Sequence, residues 1–278
     1  MTVAEHAGFC FGVERAVRLV EEELARGTAP LYTYGPIIHN EIVVEDLARR
    51  GALPLSREEL LKAPAGTVVL RSHGLPRAAI RELEERGFRI VDATCPFVKK
   101  IHRLVEDASS RGEGIVVVGD PSHAEVQGIC GWSRTDVQVI GSLEELKPEK
   151  LKKNNLLVSQ TTFHKKKFEK IVEKLEKTEY NITVVNTICN ATQDRQFEAE
   201  QISSRVDSMI VIGGENSSNT RKLYEVCRAH CPRTILIRTC ADLQRLGFIP
   251  EGSVGITAGA STPKKLIEEV HTYVRSKF

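Results

Sequence analysis

Residues 92–105 read DATCPFVKKIHRLV, and this stretch decides the fold. A short segment leads into Cys95, Pro96 stands where a first-turn proline opens a helix, and the apolar residues beyond it recur at helical spacing. The same setting occurs twice more, as AGF-Cys10-FGVERAVRLV at 7–20 and NTI-Cys189-NATQDRQFEA at 186–199. Cys95 lies 85 positions after Cys10 and 94 before Cys189, and 89 residues follow Cys189. Three copies of one small module explain this spacing. The boundaries it predicts are 1–94, 95–188 and 189–278.

Polar loops recur at matching offsets from each cysteine. His39 of GPIIHN lies 29 residues after Cys10, His123 of GDPSHAEVQG 28 after Cys95, and Ser217 of GGENSSNT 28 after Cys189. A second set follows at 63, 66 and 72 residues: His73 in RSHGLP, Thr161 in SQTTF and Ser261 in TAGASTP. All nine positions fall after predicted strands or at helix starts, the edge at which open parallel sheets bind ligands.

The stretches between carry an α/β pattern. Strands are expected at 67–70, 114–118, 156–159, 182–185, 209–212, 234–237 and 253–257, separated by helical stripes such as Val13, Ala16, Val17, Val20 and Leu24, closed by Gly27. Ser56 and Glu59 read as a capping box, and Pro76 and Pro263 as further first-turn prolines. The fold class is therefore α/β, three small domains with parallel sheets, pseudo-threefold-related if they pack around one axis.

Composition narrows the function. At 41% hydrophobic residues over 278, the chain buries a sizeable core, and a net charge of +2 gives no bulk attraction to nucleic acid or a membrane surface. There is no apolar run of membrane-spanning length and no signal-peptide pattern, so a cytoplasmic protein is expected, whose seven cysteines stay reduced. Metal or redox chemistry follows more readily than a disulfide framework.

If the three modules face inward, the thiolates of Cys10, Cys95 and Cys189 converge. Three thiolates would leave a zinc ion an open position for catalysis, whereas a cubane held by them leaves its fourth iron open as a Lewis acid that also passes electrons. The loops with His39, His73, His123, Ser217, Ser218, Asn219 and Ser261 offer donors at helix starts, enough for a diphosphate; Ser217, Ser218 and Asn219 equally suit helix capping. The absence of GxxxxGK(S/T) and of GxGxxG after a strand argues against ATP or a dinucleotide. Glu125 is a candidate proton donor with a raised pKa, or else a first-turn glutamate favoured by the helix dipole. Cys130, Cys227, Cys231 and Cys240 are assigned to packing, although the C-x3-C and C-x8-C spacing from 227 to 240 suits a second metal.

At these residues the sequence closely resembles the IspH or LytB family, the 4-hydroxy-3-methylbut-2-enyl diphosphate reductases of the non-mevalonate isoprenoid pathway. AGFCFGVERAV, GPIIHN, RSHGLP, DATCPFVKK, HAEVQG, SQTT, NTICNATQDRQ, GGENSSNT and TAGAS stand in that family's order. The resemblance implies that the three domains form a trefoil around a central cavity, and it implies one 4Fe-4S cluster on Cys10, Cys95 and Cys189, with the fourth iron open to substrate. It implies diphosphate binding by His39, His73, His123, Ser217, Ser218, Asn219 and Ser261, contact of Thr161 with the substrate oxygen, and Glu125 as the acid of a proton relay. The implied reaction is a two-electron, two-proton reductive dehydroxylation giving isopentenyl and dimethylallyl diphosphate, with ferredoxin or flavodoxin as electron donor. Ala124 stands where the family commonly has proline, which loosens that loop. Two other readings fit the residues: a hydro-lyase using a three-cysteine cluster as Lewis acid alone, and a non-catalytic metal scaffold or sensor.

Overall fold

Parallel strands need crossovers long enough to hold a helix, and this sequence supplies one after nearly every apolar run. In the computed structural model, which describes residues 1–277, the chain opens with β1 (Thr2–Val3) and α1 (Phe11–Ala25). Next come β2 (Leu31–Tyr34), α2 (Glu41–Arg49), β3 (Ala52–Leu55), α3 (Arg57–Leu60), β4 (Thr67–Leu70), α4 (Arg77–Glu85) and β5 (Arg89–Asp92). The middle of the chain forms α5 (Pro96–Ser110), β6 (Gly114–Val118), α6 (Ala124–Cys130), β7 (Val137–Ile140), β8 (Asn155–Ser159), α7 (Lys165–Leu175) and β9 (Ile182–Val184). The last third forms α8 (Asn190–Ser203), β10 (Ser208–Ile212), α9 (Ser218–His230), β11 (Thr234–Ile237), α10 (Cys240–Arg245), β12 (Val254–Ala258) and α11 (Lys264–Lys277).

The strands pair into three four-stranded sheets, ordered β3-β2-β4-β5, β7-β6-β8-β9 and β11-β10-β12-β1, with every ladder parallel. The three orders are the same order. In the third sheet the place of β5 and β9 is taken by β1, with Thr2 opposite Gly255 and Val3 opposite Ile256. The first strand of the expected 1–94 module therefore belongs to the sheet of the last third. It also makes the cysteine repeat intelligible, because Cys10, Cys95 and Cys189 each follow the β1, β5 or β9 strand at the same position in that order.

Chain contacts group the residues into two compact units, one of 1–14, 38–46 and everything from 190 onward, the other of 15–37 and 47–189. The first unit holds the β11-β10-β12-β1 sheet. Ile210, Ile212, Ile256 and Ala258 pack one face against Leu243, Ile267 and Val270, while Met209 and Val211 pack the other against Ala199, Leu223, Val226 and Cys227. The second unit holds the other two sheets. On the central strands β6 and β8 every residue is buried, since both faces are covered: Val116, Val118 and Leu157 meet Phe168 and Ile171 of α7, and Ile115, Val117 and Val158 meet Ile101 and Val105 of α5.

Local expectations largely hold. Ser56 and Glu59 form the reciprocal capping box of α3, and Pro96 is the first residue of α5. Pro76 sits one position earlier than expected, at the N-cap of α4, and Pro263 likewise just precedes α11. Cys227 and Cys231 are buried in the apolar layer on one sheet face, whereas Cys240 packs into the layer on the other. That separation removes the second metal site suggested by their spacing, and burial pushes the Cys227 thiol up to about 12.

Candidate active site

Each cysteine of the repeat is of intermediate exposure where a loop becomes a helix. The Cys10 carbonyl accepts from Glu14 N–H and the Cys95 carbonyl from Lys99 N–H, so both residues cap their helices. A helix start complements negative charge, the form in which sulfur binds a metal. Three partly accessible thiols in such settings are a donor set suited to iron and sulfide.

In the second unit the predicted residues interlock. Glu125 is 2% exposed in the first turn of α6. Its carboxylate accepts from Thr161 N–H at 2.6 Å and from Thr161 Oγ1 at 2.7 Å. Burial raises its pKa to about 7, outweighing the two Thr161 bonds that favour the charged form. It is at once a first-turn glutamate and a buried acid whose pKa lies near neutrality. The Thr161 carbonyl in turn accepts from Cys189 N–H at 3.1 Å, placing that cysteine one hydrogen bond from the acid's partner.

His123 caps α6, its Nδ1 accepting from Glu125 N–H at 3.2 Å, so the neutral ring carries its proton on Nε2. The cap and the Glu125–Thr161 pair fasten this loop although residue 124 is alanine. The ring of His73 meets that of His123 edge to face, 5.5 Å between centroids. Cys95 N–H donates to the carbonyl of Ser72, next to His73, at 3.0 Å. A contact chain thus runs from Cys95 through His73, His123, Glu125 and Thr161 to Cys189.

Beneath His73 the chain turns at Gly74, with φ of +75°, where a β-carbon would come 2.5 Å from Cε1 of His102. His102 is 4% exposed, stacks on Trp132 at 5.0 Å, and is held neutral by burial, its pKa lowered to about 4. Trp132 Nε1 donates to the carbonyl of Leu75. The stacked pair forms a platform under the His73 turn.

The first unit gathers the remaining residues. Ser217 caps α9, its hydroxyl accepting from Thr220 N–H, with Ser218 and Asn219 following in the first turn. All three are buried, and Asn219 Nδ2 has no hydrogen-bond partner. A buried amide donor left over at a helix start is a place an anionic oxygen fits. Ser261 Oγ donates to the His39 carbonyl at 3.0 Å, and Cys10 N–H to the Ala260 carbonyl at 3.2 Å, so the TAGAS loop holds both the His39 segment and the first cysteine. Arg195 is a buried residue that the sequence pattern does not single out. The inward face of α8 is Thr192, Arg195, Gln196, Ala199 and Ser203, so it has no apolar stripe to betray its orientation.

The fold and these residues define a parallel-sheet α/β protein with a cysteine ahead of each of three helices, a helix start holding a buried unpartnered amide, and a buried acid of near-neutral pKa. Residues 1–275 match the family model described as LytB protein, and the chain belongs to that family. It is 43% identical over 276 residues to 4-hydroxy-3-methylbut-2-enyl diphosphate reductase of Caldanaerobacter subterraneus subsp. tengcongensis, covering 99% of this chain and 96% of the relative. The similarly named protein of Pelobacter propionicus is 44% identical over 268 residues, covering 96% and 95%. Among solved structures, (E)-4-hydroxy-3-methyl-but-2-enyl diphosphate reductase, described as the terminal enzyme of the non-mevalonate pathway, matches with a TM-score of 0.73 at 41% identity, covering 99% of each chain. The reductase from Plasmodium falciparum matches with a TM-score of 0.89 at 28% identity, covering 98% of this chain and 86% of that one.

Proposed function

We propose that this chain reduces (E)-4-hydroxy-3-methylbut-2-enyl diphosphate to isopentenyl and dimethylallyl diphosphate. Membership of the LytB family supports the substrate, and the Glu125–Thr161 pair is the observation that carries the chemistry. We assign Cys10, Cys95 and Cys189 as the three protein ligands of one 4Fe-4S cluster, and the division 1–94, 95–188 and 189–278 as its three supporting modules, with β1 of the first lent to the sheet of the third. When bound, the cluster would relay two electrons, one at a time, from an external donor and would offer its open iron as a Lewis acid for the substrate hydroxyl oxygen.

The chain's own residues bind the diphosphate and handle protons. Ser217, Ser218, Asn219, Ser261, His39, His73 and His123 are assigned to the diphosphate, which gains from the α9 helix start and the Asn219 amide. A protonated Glu125 donates to Thr161 Oγ1, turning the Thr161 hydroxyl hydrogen outward to the substrate oxygen. One proton leaves with the cleaved hydroxyl as water, and a second goes to carbon at either end of the allyl fragment, giving two products from two electrons and two protons. A pKa near 7 suits an acid that must be protonated at rest and release its proton during turnover.

Electrons are assigned to ferredoxin or flavodoxin and the location to the cytoplasm; no helix among the described residues is long and apolar enough to cross a membrane. Anaerobic protein supplied with a chemical reductant and the allylic diphosphate tests the proposal, with products followed by NMR. The expected result is formation of both isomers only when reductant is present. Conversion without reductant would favour the hydro-lyase reading, and a coloured protein indifferent to the diphosphate would favour the scaffold or sensor.

A further inference from the structure

Between β1 and α1 the chain crosses residues 4–10 with little ladder of its own. Ala4 N–H donates to Ile256 and Cys10 N–H to Ala260, and the polar backbone between them is met chiefly by two charged side chains of α8. The Arg195 guanidinium donates through Nε to the His6 carbonyl at 2.9 Å and through Nη2 to the Gly8 carbonyl at 2.8 Å, while Nη1 reaches back to Ala191 O at 3.3 Å. One turn on, Glu198 accepts from Glu5 N–H at 2.6 Å and from His6 N–H at 2.9 Å, and its Oε2 lies 3.0 Å from His6 Nδ1. A cation therefore holds the carbonyls, and an anion the amides, of one short segment.

Arg195 is only 4% exposed. Burying a guanidinium costs far more than burying a leucine of similar reach, so packing alone does not explain it. Its fork of donors, set in a rigid plane, does what no apolar side chain and no lysine does: it fixes two carbonyls at a defined separation. One of them belongs to Gly8, two residues before Cys10, at φ of +102°, where a β-carbon would come 3.2 Å from Ile267 Cδ1. The backbone approaching Cys10 is thus pinned in a conformation that only glycine adopts easily.

We infer that Arg195, assisted by Glu198, is the positioning residue that holds the Cys10 sulfur in place for the iron–sulfur group. The inference rests on the assignment of Cys10 as a ligand and adds to it the outer contacts that orient that ligand, of the kind whose loss costs roughly 10–100-fold in metal affinity.

The test compares wild-type protein with Arg195→Met, Arg195→Lys, Glu198→Gln and Cys10→Ser, all reconstituted anaerobically. Readouts are iron release to a chelator, the midpoint potential of the bound cluster, and alkylation of Cys10 in the metal-free protein by mass spectrometry; circular dichroism reports the fold. Arg195→Met should release iron at least about tenfold faster and speed the alkylation of Cys10, with Cys130 alkylation unchanged, and Arg195→Lys should fall between it and wild type. Glu198→Gln, at the more exposed end of the clamp, should move the same readouts in the same direction and serves if Arg195→Met does not fold. Wild-type iron retention, potential and Cys10 reactivity in folded Arg195→Met and in Glu198→Gln overturn the positioning role. Full iron retention in Cys10→Ser overturns the ligand assignment instead.

Discussion

Replacing Glu125 by glutamine separates the acid's chemistry from its place in the structure. Glutamine is nearly the same shape, accepts the Thr161 N–H through its carbonyl, and donates to Thr161 Oγ1 through its amide, so both contacts of 2.6 and 2.7 Å survive. The carboxyl's pKa rises from 4.5 to about 7 on folding, chiefly through burial. At roughly 1.4 kcal/mol for each unit, holding the charged form in the folded protein costs about 3 kcal/mol. Because the folded pKa is the higher one, the folded state binds the extra proton, and the stability this contributes is present below pH 4.5 and lost as pH rises through 7. Urea unfolding of wild type should therefore weaken across that window relative to Glu125→Gln, with the variant the more stable by about 3 kcal/mol at pH 8.5. Turnover with a chemical reductant should fall at least about 100-fold in the variant, while iron content stays at the wild-type level. Wild-type turnover in Glu125→Gln would falsify the proton-donor role; identical pH profiles of stability would refute its burial as the cause of the raised pKa.

Other perturbations bear on separate parts of the site. Changing any one of Cys10, Cys95 or Cys189 to serine should abolish the broad visible absorption and leave little stable iron, whereas Cys130→Ser should keep both. Asn219→Ala, which removes the buried unpartnered amide, should raise KM for the diphosphate by about 5- to 150-fold, the equivalent of about 1–3 kcal/mol, with kcat nearly unchanged. His102 stays neutral in the fold down to about pH 4 but takes up a proton near 6.5 when unfolded. Stability should accordingly drop by about 3 kcal/mol as pH falls from 6.5 to 4, and urea titrations of His102→Gln should lack that part of the slope.

The three-part plan was legible because a cysteine before a helix is a rare punctuation, and it recurs here with loops at fixed offsets. Strands buried on both faces, such as GIVVV at 114–118, announced themselves as continuous apolar runs. The strands that escaped notice are mostly edges: ALPL, RIVD and VQVI are short, partly exposed and interrupted by Pro54, Arg89, Asp92 or Gln138. Two-residue β1 carries no periodicity at all, and only pairing with β12 reveals that it completes the third sheet. The Glu125–Thr161 pair spans 36 residues, so the loop around Glu125 named the acid but not its partner. Arg195 was hidden for a different reason: a helix whose inward face is mostly polar gives no hydropathy signal, and a buried arginine reads on paper as a solvated one.

Anomalous diffraction at the iron edge from anaerobically grown crystals of the reconstituted protein addresses the central claim most directly. A single iron cluster bonded to the sulfurs of Cys10, Cys95 and Cys189, with one iron lacking a protein ligand, is the predicted result. Iron bound elsewhere, or a cluster that leaves any of these three sulfurs unbonded, would contradict it.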